Sequence, residues 1–283
     1  MVDSPLLIGY QNGNYSVFLY EDGTKERMTK EDEFLPLFPE SIDLKITNQC
    51  DLLCPMCHEQ SLPTGIHGDL DASFLYSLPP GIELAIGGGN PLSHPYLEDF
   101  LKRLKNKRII PNLTINERHL LQEKERVKRL LDERLIYGLG VSLSCFEEET
   151  FRFLSPYHNA IYHLILGITT LEDIYRIPQG GKARFLGYKE FGRGKTYFSE
   201  LVKDNISFMR DHFKWVIPQF SHIAFDNLAL RQLEAKKHMP HPLYERYFMG
   251  EDGEFTMYID LVKKEYAVSS TSSIRYPLEE DIE

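Results

Sequence analysis

Apolar positions recur along the chain with two periods. Runs such as Ile42-Asp43-Leu44-Lys45-Ile46 and Ile82-Glu83-Leu84-Ala85-Ile86 alternate apolar and polar residues. A period of two places every second side chain on one face, the mark of a strand packed on one side. Between such runs the spacing changes to three and four, as in Leu97, Phe100, Leu101 and Leu104, then Leu120, Leu121, Val127, Leu130 and Leu131. That is the apolar stripe of an amphipathic helix. Strands are predicted at 42–46, 82–86, 109–115, 138–144, 162–166 and 183–187, with a further strand-like return at His222-Ile223-Ala224-Phe225. Strands alternating with helices imply parallel pairing through right-handed crossovers. The expected fold class is α/β, a partial (β/α)6 TIM-like barrel with small β appendages at both termini.

The appendages follow from turn chemistry. Leu6–Tyr10 and Tyr15–Tyr20 flank Asn12-Gly13, and Asp22-Gly23 comes next. Both dipeptides accept the positive φ of tight hairpin turns, so a β-meander is predicted, covering an edge or opening of the barrel. At the far end, Glu254–Asp260 and Glu265–Val268 read as a hairpin closing the barrel's bottom or the substrate opening. The expected units are 1–40 for the meander and linker, 41–235 for the barrel and 236–283 for the hairpin extension.

Chemistry concentrates in Cys50-Asp51-Leu52-Leu53-Cys54-Pro55-Met56-Cys57. Three of the four cysteines fall here, spaced C-x3-C-x2-C. This spacing lets three thiolates face one centre from a single tight loop and leaves one ligand position open, as a reactive metal site requires. A zinc site would need His58 or His67 as fourth ligand. His58 adjoins Cys57, and no second pair of ligands stands elsewhere in the chain. A disulfide does not suit cysteines this crowded in a chain that starts without a basic n-region.

With the glycine run Gly87-Gly88-Gly89-Asn90-Pro91 about thirty residues on, the sequence resembles the radical S-adenosylmethionine (SAM) superfamily. The resemblance covers roughly residues 40–230. It implies that Cys50, Cys54 and Cys57 hold a [4Fe-4S] cluster whose open iron binds SAM. Met56 takes the position beside the adenine that is usually aromatic. Gly87, Gly88, Gly89 and Asn90 occupy the place of a Gly-Gly-Glu-Pro-like run that bonds the SAM amino group. Asn90 offers a neutral carbonyl there instead of a carboxylate. Thr114 and Asn116 match the strand residues that approach SAM. Ile165 matches an isoleucine packed on adenine, although His163 and Thr170 depart from the ends of that motif. Gly187 stands where backbone meets the adenine edge. Ser142 and Ser144 face either SAM or hydrogen bonds within the sheet. Cys145 is either a hydrogen donor or, more simply, a small buried thiol.

The implied activity is reductive cleavage of SAM and hydrogen abstraction from an unidentified substrate. An electron donor such as flavodoxin or ferredoxin is the implied partner. Residues 254–273 resemble the hairpin of auxiliary-cluster domains, with serines and threonine where those cysteines stand, which favours a peptide or small-molecule substrate. The alternatives are a nucleotide or nucleic acid substrate, and a non-catalytic iron–sulfur binding protein. A net charge of −10, from 42 acidic and 32 basic residues, disfavours a long nucleic acid. Lys182, Arg184, Lys189, Arg193 and Lys195 nonetheless cluster near the expected substrate mouth. No apolar run approaches the roughly 20 residues of a membrane span, and the setting expected is cytoplasmic.

Overall fold

The computed structural model describes residues 4–278 and contains two sheets. The first is the meander of β1 (Leu6–Asn12), β2 (Tyr15–Tyr20) and β3 (Lys25–Met28), in that order. The second is ten-stranded and carries the predicted strands as β4 (Ser41–Thr47), β5 (Glu83–Gly88), β6 (Ile110–Asn116), β7 (Gly138–Ser142), β8 (Ala160–Ile165) and β9 (Gly181–Leu186). It continues through β10 (Phe220–Phe225) on one side. On the other side lie β11 (Thr256–Asp260), β12 (Glu265–Ala267) and β13 (Tyr276–Pro277). From β10 across to β11 the neighbours pair in parallel, and β12 and β13 then pair antiparallel.

One face of this sheet is apolar. Ile42, Leu44 and Ile46 of β4, Leu84 and Ile86 of β5, and Leu164 and Phe185 further round join the helices in a single core. The opposite face carries Asp43, Lys45, Thr47, Thr114, Asn116, Ser142, His163 and Arg184, as the alternation requires. The sheet is strongly curved around that polar face. Flat, β4 and β9 would lie about 24 Å apart, five spacings of about 4.8 Å. Yet Arg193, after β9, donates to the carbonyls of Cys54 and Ser61, after β4, at 3.1 Å each.

Among the described residues no closed barrel forms: β10 and β13 are the outer strands of the large sheet. Contact across the gap is made by side chains instead. Asn227, which begins the helix after β10, donates to Gly250 O at 3.2 Å and to Asp252 Oδ1 at 2.9 Å, just ahead of β11. The terminal hairpin extends the sheet, and the serine segment after it reaches the loop after β9, where Ser270 Oγ accepts from Lys189 Nζ at 2.8 Å. The hairpin's first strand lies alongside β4, whose backbone would otherwise be an unpaired edge. The meander covers an opening, at the end where the strands begin. Lys25 pairs with Glu83 at 2.5 Å, Asn159 donates to Glu21 O at 2.7 Å, and Lys182 donates to Asp22 O at 3.0 Å. Among the described residues no helix is long and apolar enough to cross a membrane.

A candidate cofactor site at the strand ends

The cysteine loop leaves the C-terminal end of β4. Backbone bonds close its base: Asn48 N to Ile66 O at 3.1 Å, Leu62 N to Asn48 O at 3.0 Å, and Cys50 N to Leu62 O at 2.9 Å. A tight turn, Cys57 N to Cys54 O at 3.1 Å, sets Cys54 beside Cys57. All three cysteines are half-buried with free thiols. Burial, and then the neighbouring thiols, push Cys50 and Cys54 above the ordinary thiol range.

Three side chains outside the loop hold it, and none of those roles is visible in the sequence. Arg193 grips it through the carbonyls of Cys54 and Ser61, while its own N–H donates to Cys57 O at 3.1 Å. His119, buried on the helix after β6, meets Asp51 Oδ1 at 2.7 Å, and that bond holds the Asp51 carboxyl below its usual range. Lys45 bridges Glu59 at 2.5 Å and Asp260 of β11 at 3.0 Å, almost wholly out of water. Burial opposes the Glu59 charge, but His58 and Lys45 outweigh it and keep the carboxyl far below its ordinary value. His58 Nε2 lies 3.2 Å from both Glu59 Oε1 and Lys189 Nζ. One nitrogen cannot donate to the first and accept from the second, so its tautomer selects between them.

The glycine run is stitched to the same loop. Gly89 N donates to Thr47 O at 2.8 Å and Asn90 N to Gln49 O at 2.7 Å. Gly88 has φ +117°, and a Cβ there would stand 2.3 Å from Thr47 O. At Gly89 a Cβ would stand 2.3 Å from Gln49 O, whereas at Gly87 the nearest atom would be Thr114 Cβ at 3.8 Å. Gly88 and Gly89 are thus small because the end of β4 and the start of the cysteine loop lie against them, whereas a Cβ at Gly87 would meet only ordinary contact. Asn90 is buried, and its Oδ1 accepts Leu92 N at 3.1 Å as the cap of a short helical turn.

Thr114, Asn116, Ser142 and Ile165 fall on the polar face with Gly87, in strands that adjoin in register. Ser144 Oγ donates to Asn116 Oδ1 at 3.2 Å, which places Ser144 with them. Met56 lies in the loop, its carbonyl 3.3 Å from where a Gly194 Cβ would be. Gly187 follows β9 directly; a Cβ built there would stand 2.3 Å from Leu228, so its backbone alone could face the strand ends. Cys145 receives Arg118 Nε at 3.2 Å. Glu117, which opens a strongly charged stretch of the sequence, is fully buried and accepts from the N–H groups of Ser144, Cys145, Phe146 and Glu147 and from the Thr150 hydroxyl.

The three cysteine sulfurs stand too far apart to share one tetrahedral ion as they lie. Sulfurs on one tetrahedral zinc lie about 3.8 Å apart, from Zn–S bonds of about 2.3 Å. Among the described residues, the group with donor atoms within 4.8 Å of one another is Cys50, Asp51 and His119, not the three cysteines, and it includes neither His58 nor His67.

No family model matches the chain, and no curated protein matches it. Solved structures do match, among them Streptococcus suis SuiB bound to S-adenosylmethionine. That match has a TM-score of 0.58 at 13% identity, over 88% of this chain and 65% of SuiB. The fold is similar to that of SuiB. SuiB bound to precursor peptide SuiA superposes with a TM-score of 0.55 at 13% identity, over 83% of this chain and 60% of that one. A further SuiB structure gives 0.58 at 11% identity, over 95% of this chain and 82% of SuiB. In the first two matches the chain spans less than two thirds of SuiB's length. Loops at the C-terminal ends of parallel strands are where α/β folds place ligands, and the cysteines here occupy such a loop.

The glycine geometry yields a direct expectation. Gly88→Val forces a β-branched residue to positive φ against Thr47 O, costing about 2–4 kcal/mol from strain and overpacking. Because the displaced atoms form the base of the cysteine loop, iron retention falls together with Tm. Gly87→Ala, whose Cβ meets only ordinary contact, leaves both unchanged. Thermal melts and iron assays on the two variants check this. A Gly88→Val protein with parental Tm would refute it.

Proposed function

We propose that the chain is a radical SAM enzyme acting on a peptide or a peptide-like small molecule. One observation carries the reading: three free cysteines on a loop at the end of β4, backed by the glycine run that ends β5. The likeness of fold to SuiB, seen with S-adenosylmethionine and with precursor peptide SuiA, supports it.

In this reading Cys50, Cys54 and Cys57 hold a [4Fe-4S] cluster. When bound, such a cluster supplies one electron to the sulfonium of SAM, and the carbon radical released takes hydrogen from the substrate. The chain's own residues do the rest. Arg193, His119 and the Lys45–Glu59–Asp260 bridge fix the loop, so the thiols are presented before any metal arrives. Gly87, Thr114, Asn116, Ser142, Ser144 and Ile165 form the wall offered to SAM, with Met56 and the Gly88-Gly89-Asn90 backbone beside it. Residues 41–235 form the partial barrel in this account, with 1–40 and 236–283 as its additions. A flavodoxin or ferredoxin in the cytoplasm is the electron source that suits it.

Anaerobic reconstitution followed by dithionite and SAM is the test. Formation of 5′-deoxyadenosine is the expected result. A brown protein that forms none is an iron–sulfur binding protein. A colourless one that copurifies with zinc uses Cys50, Asp51 and His119 as a mononuclear site.

A further inference from the structure

The polar hollow enclosed by the sheet contains charges that the cofactor reading does not use. His163 of β8 is only 8% exposed, and its Nδ1 has no protein partner. Its ring lies over β7, where a Cβ on Gly140 would stand 2.4 Å from Cε1, so the strand beneath is kept bare for it. Arg184, directly in register on β9, has a buried Nε that is likewise unpartnered. Asp43 faces the same hollow from β4. It is reached by solvent yet surrounded by protein, and burial raises its carboxyl above the ordinary range against the pull of Arg184 and Lys189.

The other charges acting on Asp43 are engaged elsewhere. Lys189 donates to Ser270 at 2.8 Å, Asp226 caps a helix through Ala229 N at 2.7 Å, and Asp252 takes Asn227 at 2.9 Å. Among the described residues Asp43 and Arg184 form no hydrogen bond or ion pair, although each lies in the other's field. Two opposite charges that sense one another across a hollow, without closing on one another, leave a gap with a cation-seeking and an anion-seeking side. A half-buried guanidinium whose Nε has neither water nor a partner is costly to hold, and a ligand carboxylate removes that cost.

We propose that this hollow is a subsite for a zwitterionic group, with a substrate carboxylate received by Arg184 and His163 and its ammonium by Asp43. The donors fit. Burial, and then Arg184, push His163 down to about 3, so a neutral imidazole can offer an N–H beside the guanidinium. The meander covers the strand-start end of the hollow, so the ligand enters from the cysteine end. The inference rests on the proposed function and names the polar ends of its substrate. Its test involves no reductant, so it succeeds or fails independently of 5′-deoxyadenosine formation.

Calorimetry on the full chain uses glycylglycine, N-acetylglycylglycine and glycylglycinamide as probes. Glycylglycine should bind saturably, and each blocked form at least tenfold more weakly. Arg184→Met should lose at least tenfold in glycylglycine affinity and no longer distinguish it from the amide, while still rejecting the acetylated form. Asp43→Asn should show the reverse selectivity. The Tm of ligand-free Arg184→Met should equal or exceed that of the parent, because an unpaired charge has been removed. Absence of saturable glycylglycine binding, selectivities that survive in both variants, or a clear fall in that Tm would each overturn the subsite.

Discussion

Alanine at Cys50, Cys54 or Cys57 should abolish iron binding in the reconstituted protein, whereas Cys145→Ala should retain about four irons per chain. Two thiolates cannot hold a cluster that also leaves an iron open to ligands, so any one loss is complete rather than partial. The fold should survive these changes. The loop is anchored by the Arg193 contacts to Cys54 O and Ser61 O, by His119 on Asp51 and by Lys45 on Glu59, none of which involves a thiol. Visible absorption and iron assay measure the loss, and far-ultraviolet dichroism confirms that the variants remain folded. Iron retained in Cys54→Ala would remove the basis of the proposed function. Cys145 is spared because its sulfur is occupied by Arg118 at 3.2 Å and lies on a different strand end.

The second large effect lies at Glu117. Its carboxylate accepts four backbone N–H groups and one hydroxyl at 2.7–2.9 Å, closing the turn after β7 onto the helix after β6. Burial works against the charge, but the backbone donors outweigh it and hold the carboxyl below its ordinary range. Glu117→Gln turns an NH2 toward donors and strands several of them. Each such bond to a charged group contributes about 1.5–3 kcal/mol, and they are not additive, so a loss of at least about 3 kcal/mol is expected at neutral pH. For a chain of this size that lowers Tm by about 6–12 °C.

The pH dependence has a definite sign. A lowered folded pKa gives stability that is fully present above the unfolded value of about 4.3 and is lost as pH falls through the folded one. The stability gap between parent and Glu117→Gln should therefore be constant near neutrality and narrow below about pH 4. Melts from pH 7 to pH 3 measure it. A gap that widens in acid would show that Glu117 is not the acceptor described.

The β/α rhythm, the six central strands, the terminal hairpins and the cysteine loop are all written in local sequence. Each is decided within a few residues: alternation for the strands, helical spacing between them, Asn-Gly and Asp-Gly at turns, and thiol spacing on one loop. What holds the loop is not local. Arg193 comes 136 positions after Cys57, and nothing at 193 distinguishes a clamp from a surface cation until the curved sheet brings the two strand ends together. The same holds for Lys45 with Asp260, joined because β11 takes the open edge of β4, and for Glu117, whose charged neighbours suggest a solvated face while the turn after β7 buries it. The glycine run shows both levels at once. Its presence at a strand end is legible in the chain, but only the packing reveals that Gly88 and Gly89 make room for the end of β4 and its loop while Gly87 meets only ordinary contact. Local pattern determines which element a residue joins. The partner of a buried charge depends on which strand ends meet in space, and that follows from the curvature of the whole sheet.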